Sequence, residues 1–219
     1  MTNHPKKTRP RGRRQATSPS LRDVLLQAAE KIYSTEGVHG TTVALVIKEA
    51  GVSRPTFYNY FDGCHEIIDE IVGNANKRLR QEIIASISLE KEPLPRAVAA
   101  IDAYFGWCSN TGPIVEAIYR EIDDPASPAS KHRNRIIADF VALLHAESSA
   151  FGRPLLDPLL YDTLIRAVEH LGSGVCISKR QGEEKVDRRR LIAQRILLST
   201  LNVSDQTSGI PALSELGIN

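Results

Sequence analysis

Residues 41–61 constrain the fold more than any other part of the chain, because two short helical patterns there flank a tight break. The first half repeats apolar side chains at the i, i+3, i+4 and i+7 spacing of one helix face. Gly51 follows, where the end of a helix favours a left-handed residue. Ser53 and Pro55 are residue types that begin a helix. The stretch therefore predicts a helix–turn–helix unit.

A helix–turn–helix with a polar outer face suits DNA, because its second helix can lie in the major groove. The spacing alone also fits an ordinary pair of antiparallel helices. The residue string TTV…I…AGVSRPTFYNYF is more specific, and a helical pattern precedes it and a long one follows it. It resembles the DNA-binding region of the TetR family of bacterial transcriptional regulators over about residues 20–66. The resemblance implies a DNA-binding head.

Side chains on the outer face of this unit are the candidates for DNA contact. Arginine and asparagine read guanine and adenine through paired hydrogen bonds, whereas contacts to phosphates fix the register of the protein on DNA. The predicted base contacts are Arg54, Thr56, Tyr58 and Asn59, and the predicted phosphate contacts are Thr42, Lys48 and Tyr60. Ser53 and Pro55 complete the predicted DNA-binding surface.

The first 20 residues form a basic arm without an apolar pattern, so the sequence predicts that they are disordered when free. Residues 9–14, RPRGRR, resemble the AT-hook core, in which arginines flank a glycine that fits a narrow minor groove. Arms of this kind enter the minor groove beside a major-groove helix. The alternative is a solubilising tail that contacts phosphates without sequence preference. The predicted arm contacts are Arg9, Arg11, Arg13 and Arg14.

Charge is distributed unevenly along the chain. Residues 1–65 carry ten Lys/Arg and five Asp/Glu, whereas the remainder carries 18 and 21. A basic front on a mildly acidic body suits a partner with phosphates at one end. No apolar run approaches the roughly 20 residues that a membrane-spanning helix needs. The three distant cysteines predict reduced thiols in a cytoplasm rather than disulfides or a zinc site.

Apolar residues recur at helical spacing through the rest of the chain, without the alternation typical of strands. The sequence therefore predicts an all-α protein of about nine helices, with a three-helix head and a larger helical bundle. The predicted domains are a disordered basic arm (1–20), a helix–turn–helix DNA-binding domain (21–66), and a ligand-binding and dimerisation domain (67–219). Outside residues 41–61, helices are predicted over 21–36, 63–88, 96–109, 114–122, 130–151, 158–177 and 188–203.

The family resemblance implies that the bundle forms a homodimer through its last two long helices, within residues 158–203. Apolar stripes on these helices provide a candidate seam, and Gly172 and Gly174 would let two backbones approach closely. The alternative is that the same residues close the core of a single chain. The predicted seam consists of Leu164, Leu171, Val175, Leu191, Ile196 and Leu198.

The resemblance also implies a small-molecule site in the bundle. Apolar pockets with few polar groups are the usual ligand sites between helices, and we expect one between the fifth, seventh and eighth helices. For any single residue, ordinary core packing is the simpler explanation. The predicted ligand-binding residues are Tyr104, Trp107, Cys108, Tyr119, Ile136, Phe140, Ile165 and Val168. Neither a cofactor nor a metal is predicted.

The sequence thus predicts a TetR-like repressor that leaves a palindromic operator when a small, largely apolar ligand binds, with the fourth helix moving the heads. Family members often carry lysine where this chain has Cys64, so one expected phosphate contact is absent. A helical partner-binding module without DNA is the alternative. An enzyme is less favoured, because GxSxG, HExxH, CxxC and phosphate-loop motifs are missing. The neighbouring pairs His145/Glu147 and Glu169/His170 do not share a helix face.

Overall fold

The computed structural model describes residues 19–177 and 183–202. Within them the chain forms nine α-helices and no strand, which confirms the predicted all-α class. The predicted arm contacts at residues 9–14 lie outside the described residues. None of the described helices is long and apolar enough to cross a membrane. The helices are α1 (Leu21–Gly40), α2 (Val43–Ala50), α3 (Arg54–Tyr58), α4 (Cys64–Ser88), α5 (Pro93–Asn110), α6 (Pro113–Arg120), α7 (Pro128–Ala150), α8 (Pro158–Ile177) and α9 (Glu183–Asn202).

Local capping chemistry sets the ends of α1, α2 and α3. Ser20 accepts a hydrogen bond from the backbone N–H of Asp23, whose carboxylate accepts one from Ser20 in return, so a capping box begins α1. Thr42 and Ser53 cap α2 and α3 through their side-chain oxygens. Gly51 ends α2 in the left-handed region, at φ 67°. The two short helices and their turn therefore form as predicted.

The head encloses a small core beneath the helix–turn–helix. Phe57 and Phe61 face inward with ring centroids 5.9 Å apart and pack with residues of α1 and α2. Ile67 of α4 belongs to the same core, so the fourth helix is anchored in the head. The buried members of this core are Leu25, Ala28, Ala29, Val46, Phe57, Phe61 and Ile67.

A break interrupts α1 at the residue that the sequence predicts as its end. Gly37 adopts φ 70° and ψ −174°, and the chain then completes one further turn before Thr41. Residues after such a break lack a helical hydrogen-bond partner, and the N–H of Val38 donates to the Glu121 carboxylate at 2.6 Å. A Cβ added at Gly37 would lie 2.4 Å from Glu121 Oε1, so both backbone geometry and space require glycine.

Helices α5, α6 and α7 each begin at a proline. Pro93, Pro113 and Pro128 lie in the first turn, where a missing N–H costs no helical hydrogen bond. The predicted starts at residues 96 and 130 lie three and two residues inside the observed helices, because the sequence pattern predicts that Pro93 and Pro128 lie in loops. Prolines therefore begin these body helices rather than separating them.

Packing of α8 and α9 within the single chain corrects the predicted dimer seam. Leu164 and Val175 belong to the core of the body, so their assignment to an interface between chains is wrong. A Cβ added at Gly172 would meet the Tyr104 ring at 2.3 Å, and one at Gly174 would meet an arginine of α9 at 2.1 Å. Both glycines therefore make room within one chain. Leu171, Ile196 and Leu198 are partly buried against the same core, whereas Leu191 is exposed.

Candidate DNA-binding surface and ligand cavity

The predicted base contacts lie on the outer side of α3. Arg54, Tyr58 and Asn59 are exposed, and Thr56 is partly buried. Phe57 is fully buried on the opposite side, which fixes the rotation of this short helix and turns its polar side chains outward. Thr42, Lys48, Ser53, Pro55 and Tyr60 are also exposed.

Local contacts order some of these side chains. The Arg54 guanidinium lies 5.9 Å from the centre of the Tyr58 ring, in cation–π geometry. Ser53 Oγ accepts from the backbone N–H of Thr56 at 3.2 Å and lies 2.7 Å from its hydroxyl oxygen. Ser53 and Pro55 thus begin the helix that presents the other candidates.

Two ion pairs hold the head helices in place. Lys31 Nζ lies 2.6 Å from Glu49 Oε1 and joins α1 to α2, while Arg22 pairs with Glu70 and joins α1 to α4. Within the described head, Lys48 and Arg54 form no ion pair with a carboxylate. Their charges therefore remain available to an anionic partner.

The body encloses a cavity of about 120 Å³, here called the main cavity, with walls from α4 to α9. The walls are hydrocarbon apart from the hydroxyls of Tyr104 and Tyr119 and the polar atoms of Glu169. The predicted fifth, seventh and eighth helices all contribute to it. Of the predicted ligand-binding residues, those that line the main cavity are Tyr104, Tyr119, Ile136, Phe140, Ile165 and Val168.

The polar atoms of Tyr104, Tyr119 and Glu169 meet in the wall of the main cavity. Tyr104 O–H donates to the backbone carbonyl of Glu169 at 3.1 Å, because a carbonyl can only accept. Tyr119 O–H then donates to the Tyr104 oxygen at 2.7 Å. Burial raises the pKa of both phenols well above the usual value, so both hydroxyls stay uncharged.

Two carboxylates of the body, those of Glu169 and Glu147, are paired with arginines of other helices. Glu169 of α8 accepts three hydrogen bonds from Arg133 of α7, at 2.7, 2.9 and 3.1 Å. Glu147 of α7 accepts two from Arg96 of α5, at 2.6 and 2.7 Å. These glutamates belong to the neighbouring pairs His145/Glu147 and Glu169/His170, and each glutamate joins two helices. Within the described residues, no cluster of His, Cys, Asp and Glu is suited to a metal ion.

Trp107 and Cys108, the other predicted ligand-binding residues, do not line the main cavity. Both are buried in α5, which is apolar on most sides, so helical spacing could not identify the face that meets the cavity. The Cys176 thiol donates to the backbone carbonyl of Cys108 at 3.6 Å. Burial raises the pKa of the Cys108 thiol, which therefore stays protonated and is unsuited to act as a nucleophile.

A junction between head and body was missed by sequence reasoning. Glu121, the residue after α6, accepts hydrogen bonds from Tyr33 O–H at 2.9 Å, Val38 N–H at 2.6 Å and Ser127 O–H at 2.9 Å. The arginine before it donates to an α1 carbonyl at 3.0 Å. Burial, followed by the nearby Glu121 charge, raises the pKa of Tyr33, which keeps its hydroxyl a donor. The α1 partners lie 88 and 83 positions from Glu121, so no local pattern indicates the contact.

The head matches a known family of regulators. Residues 25–71 match the model described as bacterial regulatory proteins of the tetR family. This match covers α2, its left-handed Gly51 turn and the exposed α3, together with parts of the flanking helices. The chain therefore carries a DNA-binding region of the type found in TetR-family transcriptional regulators.

One relative is similar to this chain over most of its length. The chain is 25% identical over 175 residues to an uncharacterised HTH-type transcriptional regulator of Mycobacterium tuberculosis. The aligned region covers 80% of this chain and 83% of the relative. The similarity therefore extends from the head into the body.

Solved structures of regulators share the fold of this chain. The fatty acid degradation regulator FadR from Bacillus halodurans has a TM-score of 0.69 at 14% identity, covering 86% of this chain and 100% of that one. FadR from Bacillus subtilis, solved in complex with stearoyl-CoA, has a TM-score of 0.67 at 14% identity, with coverages of 82% and 97%. At this identity the likeness establishes the fold alone.

Proposed function

We propose that the protein is a repressor that binds a palindromic operator as a homodimer and leaves it when a small, largely apolar ligand enters the main cavity. One observation carries the proposed coupling between ligand and DNA. Tyr119 of α6 lines the main cavity, and Glu121, two residues later, joins the body to α1 of the head. A ligand that displaces Tyr119 would therefore move the junction that holds the head.

In this proposal α3 lies in the major groove. Arg54 and Asn59 contact base edges through paired hydrogen bonds, and Thr56 and Tyr58 contact neighbouring bases. Phosphate contacts from Thr42, Lys48 and Tyr60 fix the register. The arginines of residues 9–14 enter the adjacent minor groove.

The proposed homodimer uses residues 158–203. In the single chain, four large apolar side chains of α8 and α9 remain exposed. Their burial against a second copy would remove apolar surface from water and stabilise a twofold dimer. Such a dimer places two α3 helices in successive major grooves, about 34 Å apart. The exposed side chains are Leu159, Leu160, Leu191 and Ile192.

The walls of the main cavity favour an apolar effector. Its volume of about 120 Å³ is close to the roughly 150 Å³ of an engineered protein cavity that binds benzene, so a single ring or a short branched chain fits. The ligand of Bacillus subtilis FadR, stearoyl-CoA, is much larger, and a ligand of that class would require the cavity to widen. The effector must bind the released conformation more tightly than the DNA-bound one, because equal affinities shift no equilibrium.

Binding to the DNA that flanks the protein's own gene tests this proposal. We expect a mobility-shifted complex that Arg54→Ala weakens by roughly 30-fold. A reporter placed behind that DNA should rise when the gene is deleted, and a fall would identify an activator instead. A protein without salt-dependent binding to duplex DNA would be a helical partner-binding module.

The basic arm has a separate test. Deletion of residues 1–14 removes six Lys/Arg. It should reduce the slope of log Kd against log salt concentration by up to about 5, since each phosphate contact contributes about 0.9. An unchanged slope would remove the arm from the DNA interface.

A further inference from the structure

We propose, on the basis of the ligand role proposed for the main cavity, that the effector carries one uncharged hydrogen-bond acceptor. A ketone, ester or amide carbonyl would accept from the indole N–H of Trp107 while the apolar part of the ligand fills the main cavity. Three features support this assignment. A smaller space lies beside the main cavity, a residue that lines the smaller space has an unpaired donor, and the charged groups around the smaller space are already paired.

A space of about 30 Å³, here called the annex, adjoins the main cavity. Leu79, Tyr119, Ile136 and Glu169 line both spaces, so the annex and the main cavity meet at these residues. Trp107 lines the annex and not the main cavity. The annex has room for about one water-sized group. It therefore admits a single oxygen of a ligand whose body lies in the main cavity.

Trp107 offers a donor that the described protein does not use. The residue is 2% exposed, and its Nε1 atom is buried without a hydrogen-bond partner among the described residues. The indole also lines an open groove on the surface, but Nε1 is not exposed there. Buried donors normally have partners, because an unpaired one loses its hydration without replacement. An indole N–H can only donate, so its partner must accept.

The groups around the annex favour a neutral acceptor over an anion. Arg133 is the cation in its wall, and the Glu169 carboxylate already binds it through three hydrogen bonds. The Tyr119 hydroxyl donates to Tyr104 and is committed to that contact. An anionic ligand would therefore enter beside a carboxylate without an unpaired cation among the lining residues, and its desolvation would be uncompensated.

Cyclohexanone and methylenecyclohexane test this assignment, because they have nearly the same shape and differ in a carbonyl oxygen against a CH₂ group. Calorimetry on the full chain measures the affinity for each probe, and the change in each affinity when the donor is removed isolates the hydrogen bond from the different hydration of the two probes. Trp107 is the only tryptophan, so its indole N–H gives one NMR resonance. That resonance should move downfield with cyclohexanone and not with methylenecyclohexane.

Trp107→Phe removes the donor and keeps an aromatic ring. It should weaken the binding of cyclohexanone about tenfold, the effect of one hydrogen bond, and leave the binding of methylenecyclohexane unchanged, whereas Asn110→Ala, an exposed change on the same helix, should leave both affinities unchanged. An equal effect of Trp107→Phe on the two probes, or an unmoved indole resonance, would overturn the assignment and leave the proposed function intact. Binding of neither probe would overturn the ligand role of the main cavity, and the acceptor with it.

Discussion

The candidate DNA contacts lie on the surface outside the core of the head, whereas the candidate ligand contacts line a cavity within the core of the body. In the head, Arg54 and Asn59 face solvent above the buried Phe57. In the body, Tyr104 lines an internal cavity and also belongs to the core that holds the helices together. The head can therefore change what it contacts without changing how it folds. In the body, the proposed ligand contacts are also residues that stabilise the fold.

The junction at Glu121 should respond most strongly to substitution, because it belongs to both regions. Glu121→Ala leaves Tyr33 O–H and Val38 N–H without their acceptor. We expect the free energy of unfolding to fall by about 3 kcal/mol, measured by urea denaturation. Asp123→Ala removes an exposed carboxylate two residues later and should have almost no effect, because exposed ion pairs are weak. Equal losses in the two variants would show that the junction is not a stabilising contact.

Arg54→Ala tests whether function and stability separate in the head. Because the side chain is exposed, the thermal midpoint should stay the same. Loss of a bidentate base contact should weaken operator binding by about 2 kcal/mol, or roughly 30-fold, in a titration at fixed salt. Arg54→Lys keeps the charge and loses the fork geometry, so it should recover phosphate attraction without the base preference. Full operator preference in Arg54→Ala would remove this residue from the base contacts.

Tyr104→Phe tests whether a residue that lines the main cavity also contributes to the stability of the body. Burial raises its pKa, so the folded chain keeps a phenolic proton that the unfolded chain loses above about pH 10. Its contribution is therefore fully present below pH 10, and stability falls as the pH rises further, by about 1.4 kcal/mol per pH unit. Urea titrations from pH 9 to 11 should show a shallower fall in Tyr104→Phe. Parallel curves for the variant and the wild type would contradict this linkage.

The smallest expected effects come from one substitution made in each region. Gly51→Ala in the head places a side chain at φ 67° with no neighbour within 4 Å of the new Cβ, so backbone strain alone should cost about 1 kcal/mol. Gly106→Ala within α5 of the body also has open space, and removal of a helical glycine should stabilise by about 0.5–1 kcal/mol. Thermal melts would measure both. Shifts of the same sign would mean that backbone conformation does not determine how these two substitutions change stability.

Short-range chemistry made the head predictable from the sequence. The side-chain cap at Ser53, the left-handed turn at Gly51 and the proline in the first turn of α3 act within a few residues. The apolar spacing then identified which side of each short helix is buried. The exposed positions of α3 followed, although their contacts with DNA stay predictions.

Long-range packing limited what could be predicted for the body. The family resemblance, rather than helical spacing, placed Tyr104, Ile136 and Ile165 at the main cavity. On α5 the apolar residues continue around the helix, so Trp107 could not be assigned to the annex rather than to the main cavity. The predicted dimer seam is wrong in part because apolar residues that close the core of one chain follow the same helical spacing as apolar residues that join two chains.

The Glu121 contacts also limit how this regulator could be recombined with others. A chimaera that carried residues 1–66 onto a foreign bundle would bring Tyr33 and the Gly37 break but leave their acceptor behind. Operator specificity should transfer only to recipients that offer a carboxylate at the position of Glu121, where it fits into the space that Gly37 of the head provides. The exchangeable unit is therefore a head together with one glutamate from the bundle.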